Sequence, residues 1–360
     1  MKHNENPMVS IQKASYESID IDALIQPLGS LKKFVNNGDK VLLKTNLLNA
    51  TEPEKAVVTN PIFVAEVVNA VQRVGGIPYI GDSPSGNFSK RRLKKAYDKA
   101  GLLKISNETG VELNYDTGSQ KVAIPEGKCL QKTRICDFVL NADKIIALPK
   151  IKTHSLMMMS LASKIMFGAI PGLIKASYHA KYFRRTDFAD MLLDLLSITT
   201  PTLFIMDGIS GMEGEGPMSG TPVNIGIILA STYAIGLDLA VCNVLGLEPM
   251  GIPTLKQANL RKMWPEKIEY PLLKPNEVKY HGFSLPSTAN YLLTEENKPE
   301  KSPVITDKCT TCGECVTICP KKAIRISKRK AEVDYSKCIK CYCCHEVCTF
   351  NAINLEVVDQ

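Results

Sequence analysis

An α/β fold with an open, mostly parallel sheet carrying helices on both faces, followed by a small cysteine-dense α+β domain, is the architecture this chain predicts. Three observations carry it. Strand-like apolar runs alternate with helical patterns through the first 250 residues. Those runs are apolar throughout, as strands covered on both faces must be. Nine of the twelve cysteines fall between Cys309 and Cys348, in two copies of one spacing.

Taken in order, Val9-Ser10-Ile11 is strand-like after a polar start, and Val41-Leu42-Leu43 reads as a buried strand. Pro61 to Val74 reads as a helix, with proline at the first turn, where its missing N–H costs nothing, and Gly75-Gly76 at the end. Ile77 to Ile80 is a strand running into the turn 81–86. Further strands are expected at Lys144 to Leu148, Leu203 to Met206 and Ile225 to Leu229, with helices near Asp187 to Ile198 and Thr232 to Leu245. From Gly251 the periodicity fades, so 251–302 reads as a wrapping segment or linker between an α/β domain at 1–250 and a cysteine-rich domain at 303–360.

Composition narrows the function. A net charge of +7 over 360 residues is mild, the basic residues cluster only briefly (Lys90-Arg91-Arg92, Lys328-Arg329-Lys330), and aromatics make up 6%. Nucleic-acid binding is therefore not expected. The apolar stretches Leu156 to Ile174 and Val223 to Leu247 are interrupted by Lys164 and by Asp238, so no membrane span is expected. The polar start lacks the apolar core of a secretory signal, and the cytoplasm is the expected compartment. No glycine-rich nucleotide loop or nucleophile elbow is present, and Cys129, Cys136 and Cys242 read as core residues.

The chemistry concentrates in the repeat. Cys309, Cys312, Cys315 and Cys319 align without a gap on Cys338, Cys341, Cys344 and Cys348, each set spaced C-x2-C-x2-C-x3-C. Three thiolates on one tight loop can cap three irons of a cubane, while the fourth points toward the neighbouring cluster. Crossed ligation follows, with Cys309, Cys312, Cys315 and Cys348 on one 4Fe-4S cluster and Cys338, Cys341, Cys344 and Cys319 on the other. Over roughly residues 303–356 the chain resembles bacterial-type two-cluster ferredoxins, departing at Thr349, where the first repeat has Pro320. The extra Cys343 reads as a small buried residue. The stretch Ile324 to Val333 reads as a hairpin with a basic tip, suited to an acidic redox partner protein.

In open parallel sheets, ligands sit beyond the carboxyl ends of the strands. The residues just after the expected strands are Lys44 and Asn46; Asp82, Ser83 and Ser85; Lys150, Lys152 and His154; and Asp207, Glu213 and Glu215. Lys44, Lys150, Lys152, His154 and Asp207 are the candidate catalytic set. With Lys164, Lys175, His179 and Arg184, they point to an anionic small-molecule substrate under an acidic loop at 207–217.

The stretches Val41 to Leu47, Thr59-Asn60-Pro61, Gly81 to Pro84, Leu148 to His154 and Met206 to Pro217 resemble the domain of unknown function 362 family over roughly residues 40–250. Ser160 to Gly168 is similar to a diverged form of a segment with a Lys-Asn pair, Ile165 standing in the second position. The resemblance implies the two-part architecture and names no reaction. Three functions remain open: a redox enzyme or subunit relaying single electrons to a ligand or partner at the α/β domain, a non-catalytic electron carrier or adaptor, and a redox sensor.

Overall fold

A computed structural model describes residues 6–291, 301–327 and 329–358. The strands of the large domain are, in chain order, β1 (Ser10–Lys13), β2 (Lys40–Thr45), β3 (Ile77–Gly81), β4 (Glu112–Leu113), the hairpin β5 (Ser119–Ala123) and β6 (Lys132–Cys136), β7 (Lys144–Leu148), β8 (Lys150–His154), β9 (Met158–Met159), β10 (Leu203–Glu213) and β11 (Thr221–Ser231). The main sheet runs β1-β11-β10-β7-β2-β3-β4, with β8 added beside β10 and β9 beside β8. Its centre is parallel: β3, β2, β7 and β10 pair in one direction. The β1, β11 and β10 edge is antiparallel.

Two cores explain the apolar runs. Leu42, Ala147, Met206 and Leu229 feed one face of the sheet, while Val41, Leu43, Ile146, Ile205 and Ala230 feed the other. Each fully buried Val, Leu or Ile contributes about 1.5–3 kcal/mol, so neither face tolerates exposure. Asn60 starts the helix Pro61–Arg73 by accepting the Ile62 N–H at 2.9 Å. Gly75 follows its end at φ +85°, where any side chain would meet that of Asn37.

Three expectations change. The strand from Ile225 to Leu229 is antiparallel rather than parallel and extends over Thr221–Ser231. Most of the acidic loop expected at 207–217 is instead the continuation of β10 to Glu213. Its glycines look like turn residues but make room: a Cβ on Gly208 would lie 2.7 Å from Ile151 Cδ1 on β8. The stretch from Gly251, expected as a wrapping segment or linker, opens with the helix Pro253–Leu260, whose Leu255 and Ala258 are buried in the main core. After it the chain does wrap, donating Leu273 N–H to Ile11 O and Tyr280 N–H to Val244 O.

The C-terminal module pairs β12 (Ser302–Ile305) with β15 (Ile353–Glu356) and β13 (Ile324–Ile326) with β14 (Ala331–Val333). The sequence repeat is also a backbone repeat. The helices Glu314–Ile318 and Cys343–Val347 match, and so do left-handed residues at Thr311 and Lys340, Gly313 and Tyr342, and Lys322 and Asn351. The module is docked onto the large domain. Ala176 packs against Ile318, Cys343 and Val347, Tyr342 and Leu355 join the main core, and Asn49 Nδ2 donates to Val347 O at 3.3 Å.

At the rim, Arg92 Nη1 reaches both oxygens of Glu314 at 2.8 Å. The pair is partly exposed, so Arg92→Ala is expected to cost no more than about 1 kcal/mol of stability in chemical denaturation. Among the described residues no helix is long and apolar enough to cross a membrane.

Candidate functional site

The ends of β2, β3 and β8 converge on one cavity, open to solvent, with about 740 Å3 of empty space counting its mouth. Lys44, at the end of β2, pairs with Asp82 just beyond β3 at 2.9 Å. Asp82 also accepts the Leu47 N–H at 2.8 Å. Lys152 and His154 come from β8, two residues apart and so on one face of the strand. Lys175 and His179, four apart on the helix Gly172–Lys181, share a helix face. Lys164 comes from the short helix Leu161–Ile165. These six basic residues and Asp82 line the cavity, with Ser83 and Ser85.

Most of these cations are anchored. Lys152 Nζ donates to Val57 O at 2.6 Å, and Lys175 Nζ donates to Ser83 O and lies 3.2 Å from Ser83 Oγ. His154 Nδ1 accepts the Leu156 and Met157 N–H groups at 3.2 and 3.3 Å, which places the ring proton on Nε2. Burial first, and the Lys164 charge next, hold His154 and His179 well below the usual imidazole range, so both rings are neutral.

Burial also pushes Lys152 down to about 7 and Lys175 down to about 8, helped for Lys152 by Lys164 and Lys150 and opposed by Asp82 and Glu346. A lysine whose folded pKa is depressed binds fewer protons folded than unfolded. The burial penalty is therefore full below about pH 7 and is relieved as pH rises toward 10. Stability should rise over that window, and Lys152→Met should flatten the rise, read as Tm against pH.

Lys150 and Asp207 are not in this cavity. They form a wholly buried pair at 2.7 Å, in which Asp207 also accepts from Tyr16 Oη at 3.1 Å and Asn60 N–H at 3.0 Å. Glu213 and Glu215 do not close over the site either; they accept the N–H groups of Ser284 and Ser287 in the wrapping segment. Arg184 is exposed and lies outside the cavity.

The far wall comes from the C-terminal module: Ile318, Cys343 and Glu346 line the same cavity. Glu346 is 7% exposed, and burial pushes its carboxyl up to about 7 against the pull of Lys164 and Lys152. Its Oε1 lies 3.2 Å from His154 Nε2, yet neither atom has a well-formed hydrogen bond. Sequence reasoning missed this wall. Glu346 sits between two cluster cysteines, where spacing speaks only of metal ligation.

Residues 41–243 match the domain of unknown function DUF362, more than half of the chain. The chain belongs to the DUF362 family. A thylakoid-associated protein of Synechocystis sp. is 32% identical over 283 residues, covering 77% of this chain and 86% of that protein. Residues 308–352 match a 4Fe-4S dicluster domain. The pyruvate synthase subunit PorD of Methanothermobacter marburgensis is 38% identical over 50 residues, 14% of this chain and 58% of that one. Among solved structures, the lactate racemase apoprotein of Thermoanaerobacterium thermosaccharolyticum superposes with a TM-score of 0.44 at 15% identity, covering 66% of this chain and 57% of that one.

Beside its DUF362 domain, then, the chain carries a ferredoxin-type iron–sulfur domain, fitted to electron transfer. Its thiols fit such a group. Cys309, Cys312, Cys315 and Cys348 line one cavity of about 370 Å3, and Cys319, Cys338, Cys341 and Cys344 line another of about 350 Å3.

Backbone N–H groups of Ala323, Ala331 and Ala352 donate to Cys319, Cys309 and Cys348 Sγ at 3.2–3.4 Å, the kind of bond that tunes a cluster's potential. Burial and neighbouring thiols push Cys315 up to about 11 and Cys344 well up, so as free thiols both stay protonated and iron loading releases protons. The two quartets differ in setting. Cys312 of the first is exposed, whereas Cys344 of the second is buried.

Of the basic hairpin, Lys328 lies outside the described residues. Two of its other cations are already paired, Arg325 with Glu332 at 3.2 Å and Lys330 with Asp307 at 3.4 Å.

Proposed function

We propose that this protein is an oxidoreductase in which two 4Fe-4S clusters pass single electrons to a small anionic molecule held in the lysine-lined cavity. The observation that carries the reading is Cys343. It is 5% exposed and lines both the basic cavity and the cavity framed by Cys319, Cys338, Cys341 and Cys344. A molecule bound among Lys44, Lys152, Lys164 and Lys175 is therefore one side chain away from the second quartet.

The cluster supplies low-potential one-electron chemistry when bound. The chain's own residues supply the rest. The lysines attract and orient the anion. The carbonyl anchors of Lys152 and Lys175 hold those side chains in place before it arrives, which lowers the ordering cost of binding. Ile318 packs with Cys343, and Phe167 and Ile165 add apolar surface to the same lining. An adaptor would be expected to present a broad apolar face at this place; the convergence of four lysines and two histidines supports the enzyme reading instead. A redox partner protein would deliver electrons at the first quartet, whose Cys312 reaches solvent.

The test is single-turnover reoxidation. Anaerobically reconstituted protein, reduced with limiting dithionite, should have its visible bleaching reversed by particular small anions drawn from a fractionated metabolite pool. Reversal by partner proteins but by no small anion would replace the enzyme with a carrier.

A further inference from the structure

We propose that the molecule taken by this cavity is a small dianion, one of whose charges is met by Lys164. The inference rests on reading the cavity as the electron-accepting site and narrows what that site accepts.

Four lysines line the cavity against two acidic side chains, Asp82 and Glu346, a formal surplus of two positive charges. The four are not equivalent. Lys44 has Asp82, and Lys152 and Lys175 have backbone carbonyls. Lys164 has no carboxylate within ion-pair distance and no hydrogen-bond acceptor among the described residues; its Nζ lies 5.4 Å from the Phe167 ring centroid.

Lys164 is half-buried and lines the cavity beside residues of the module, so its charge is open to an anion that enters there. Neutral donors surround the same space. His154, 1% exposed, carries its proton on Nε2, 3.2 Å from Glu346 Oε1, and Ser83 and Ser85 add hydroxyls to the same lining. A cation would be repelled here. A monoanion would leave one ammonium unmatched. A doubly charged oxyanion, whether one compact group or two carboxylates, matches both the surplus and the donors.

Isothermal calorimetry on the oxidised, cluster-loaded full chain tests this without any electron transfer. At equal ionic strength, phosphate, sulfate, oxalate and succinate form the dianion set, and formate and acetate the controls. At least one dianion should bind ten-fold or more tighter than either monoanion, and the compact and extended members separate the two source chemistries. Lys164→Gln should weaken that dianion at least ten-fold with an unchanged cluster spectrum, and Lys164→Arg should keep it. Equal binding of mono- and dianions, no binding, or an unchanged affinity in Lys164→Gln overturns the proposal. If Lys164→Gln does not fold, the wild-type comparison with Lys164→Arg still decides. Dianion binding that leaves reoxidation of the reduced clusters unchanged would sink the electron-delivery reading and spare this one.

Discussion

Cys315→Ala, purified and reconstituted without oxygen, is expected to hold about half of the roughly eight irons of the wild type and to lose the magnetic interaction between two reduced clusters. The reason is the way the thiols are shared. Cys315 lines a cavity with Cys309, Cys312 and Cys348, whereas Cys319, Cys338, Cys341 and Cys344 frame a separate one. The mirror variant, Cys341→Ala, should lose the other half. The two should differ in function, because Cys343, which lines the lysine-rich cavity, also lines the cavity of the second quartet and not that of the first. Cys341→Ala should abolish anion-triggered reoxidation of whatever iron remains, and Cys315→Ala should slow electron entry from an external donor. Iron and sulfide analysis with paramagnetic resonance decides the first point and stopped-flow reoxidation the second. An iron content unchanged in both variants would overturn the ligand assignment.

The largest loss of stability is expected from Asp207→Ala. Lys150 and Asp207 are both wholly buried and 2.7 Å apart, and the carboxylate also receives Tyr16 Oη and the Asn60 N–H. Burial and the Asp207 charge push the Tyr16 phenol far up, so it stays protonated and donates. Removing the carboxylate strands an ammonium and two donors in the interior, at a cost of about 3–5 kcal/mol. Removing both charges strands only neutral groups. Lys150→Met with Asp207→Leu should recover most of the loss, and guanidinium titrations of the two variants measure the difference. Recovery would mark the pair as part of the fold; a fully stable double variant with lost reoxidation would return it to the function.

The pair also shows how far a sequence can be read. Strand positions follow from runs such as Val41-Leu42-Leu43, because burial on both faces leaves a local apolar trace. The thiol quartets follow from spacing, because a cubane sets the distance between ligands along one loop. Lys150 and Asp207 also sit at strand ends, where ligands gather, but nothing local to either residue says that they face each other. Glu346 was invisible for the converse reason: its role at the cavity arises from the docking of one domain on another, through Ala176, Ile318 and Val347. The glycines after Asp207 misled because a residue that loosens a turn and one that makes room for Ile151 read alike.

The contrast between the exposed Cys312 and the buried Cys344 gives the module a wet end and a dry end. In the proposed two-cluster protein, oxidants arriving from water would meet the wet end first, and the outer quartet would act as a fuse for the inner one. Decay in air should then run in sequence, the outer iron leaving before the inner, and a protein with only its dry cluster would still keep its cavity walled.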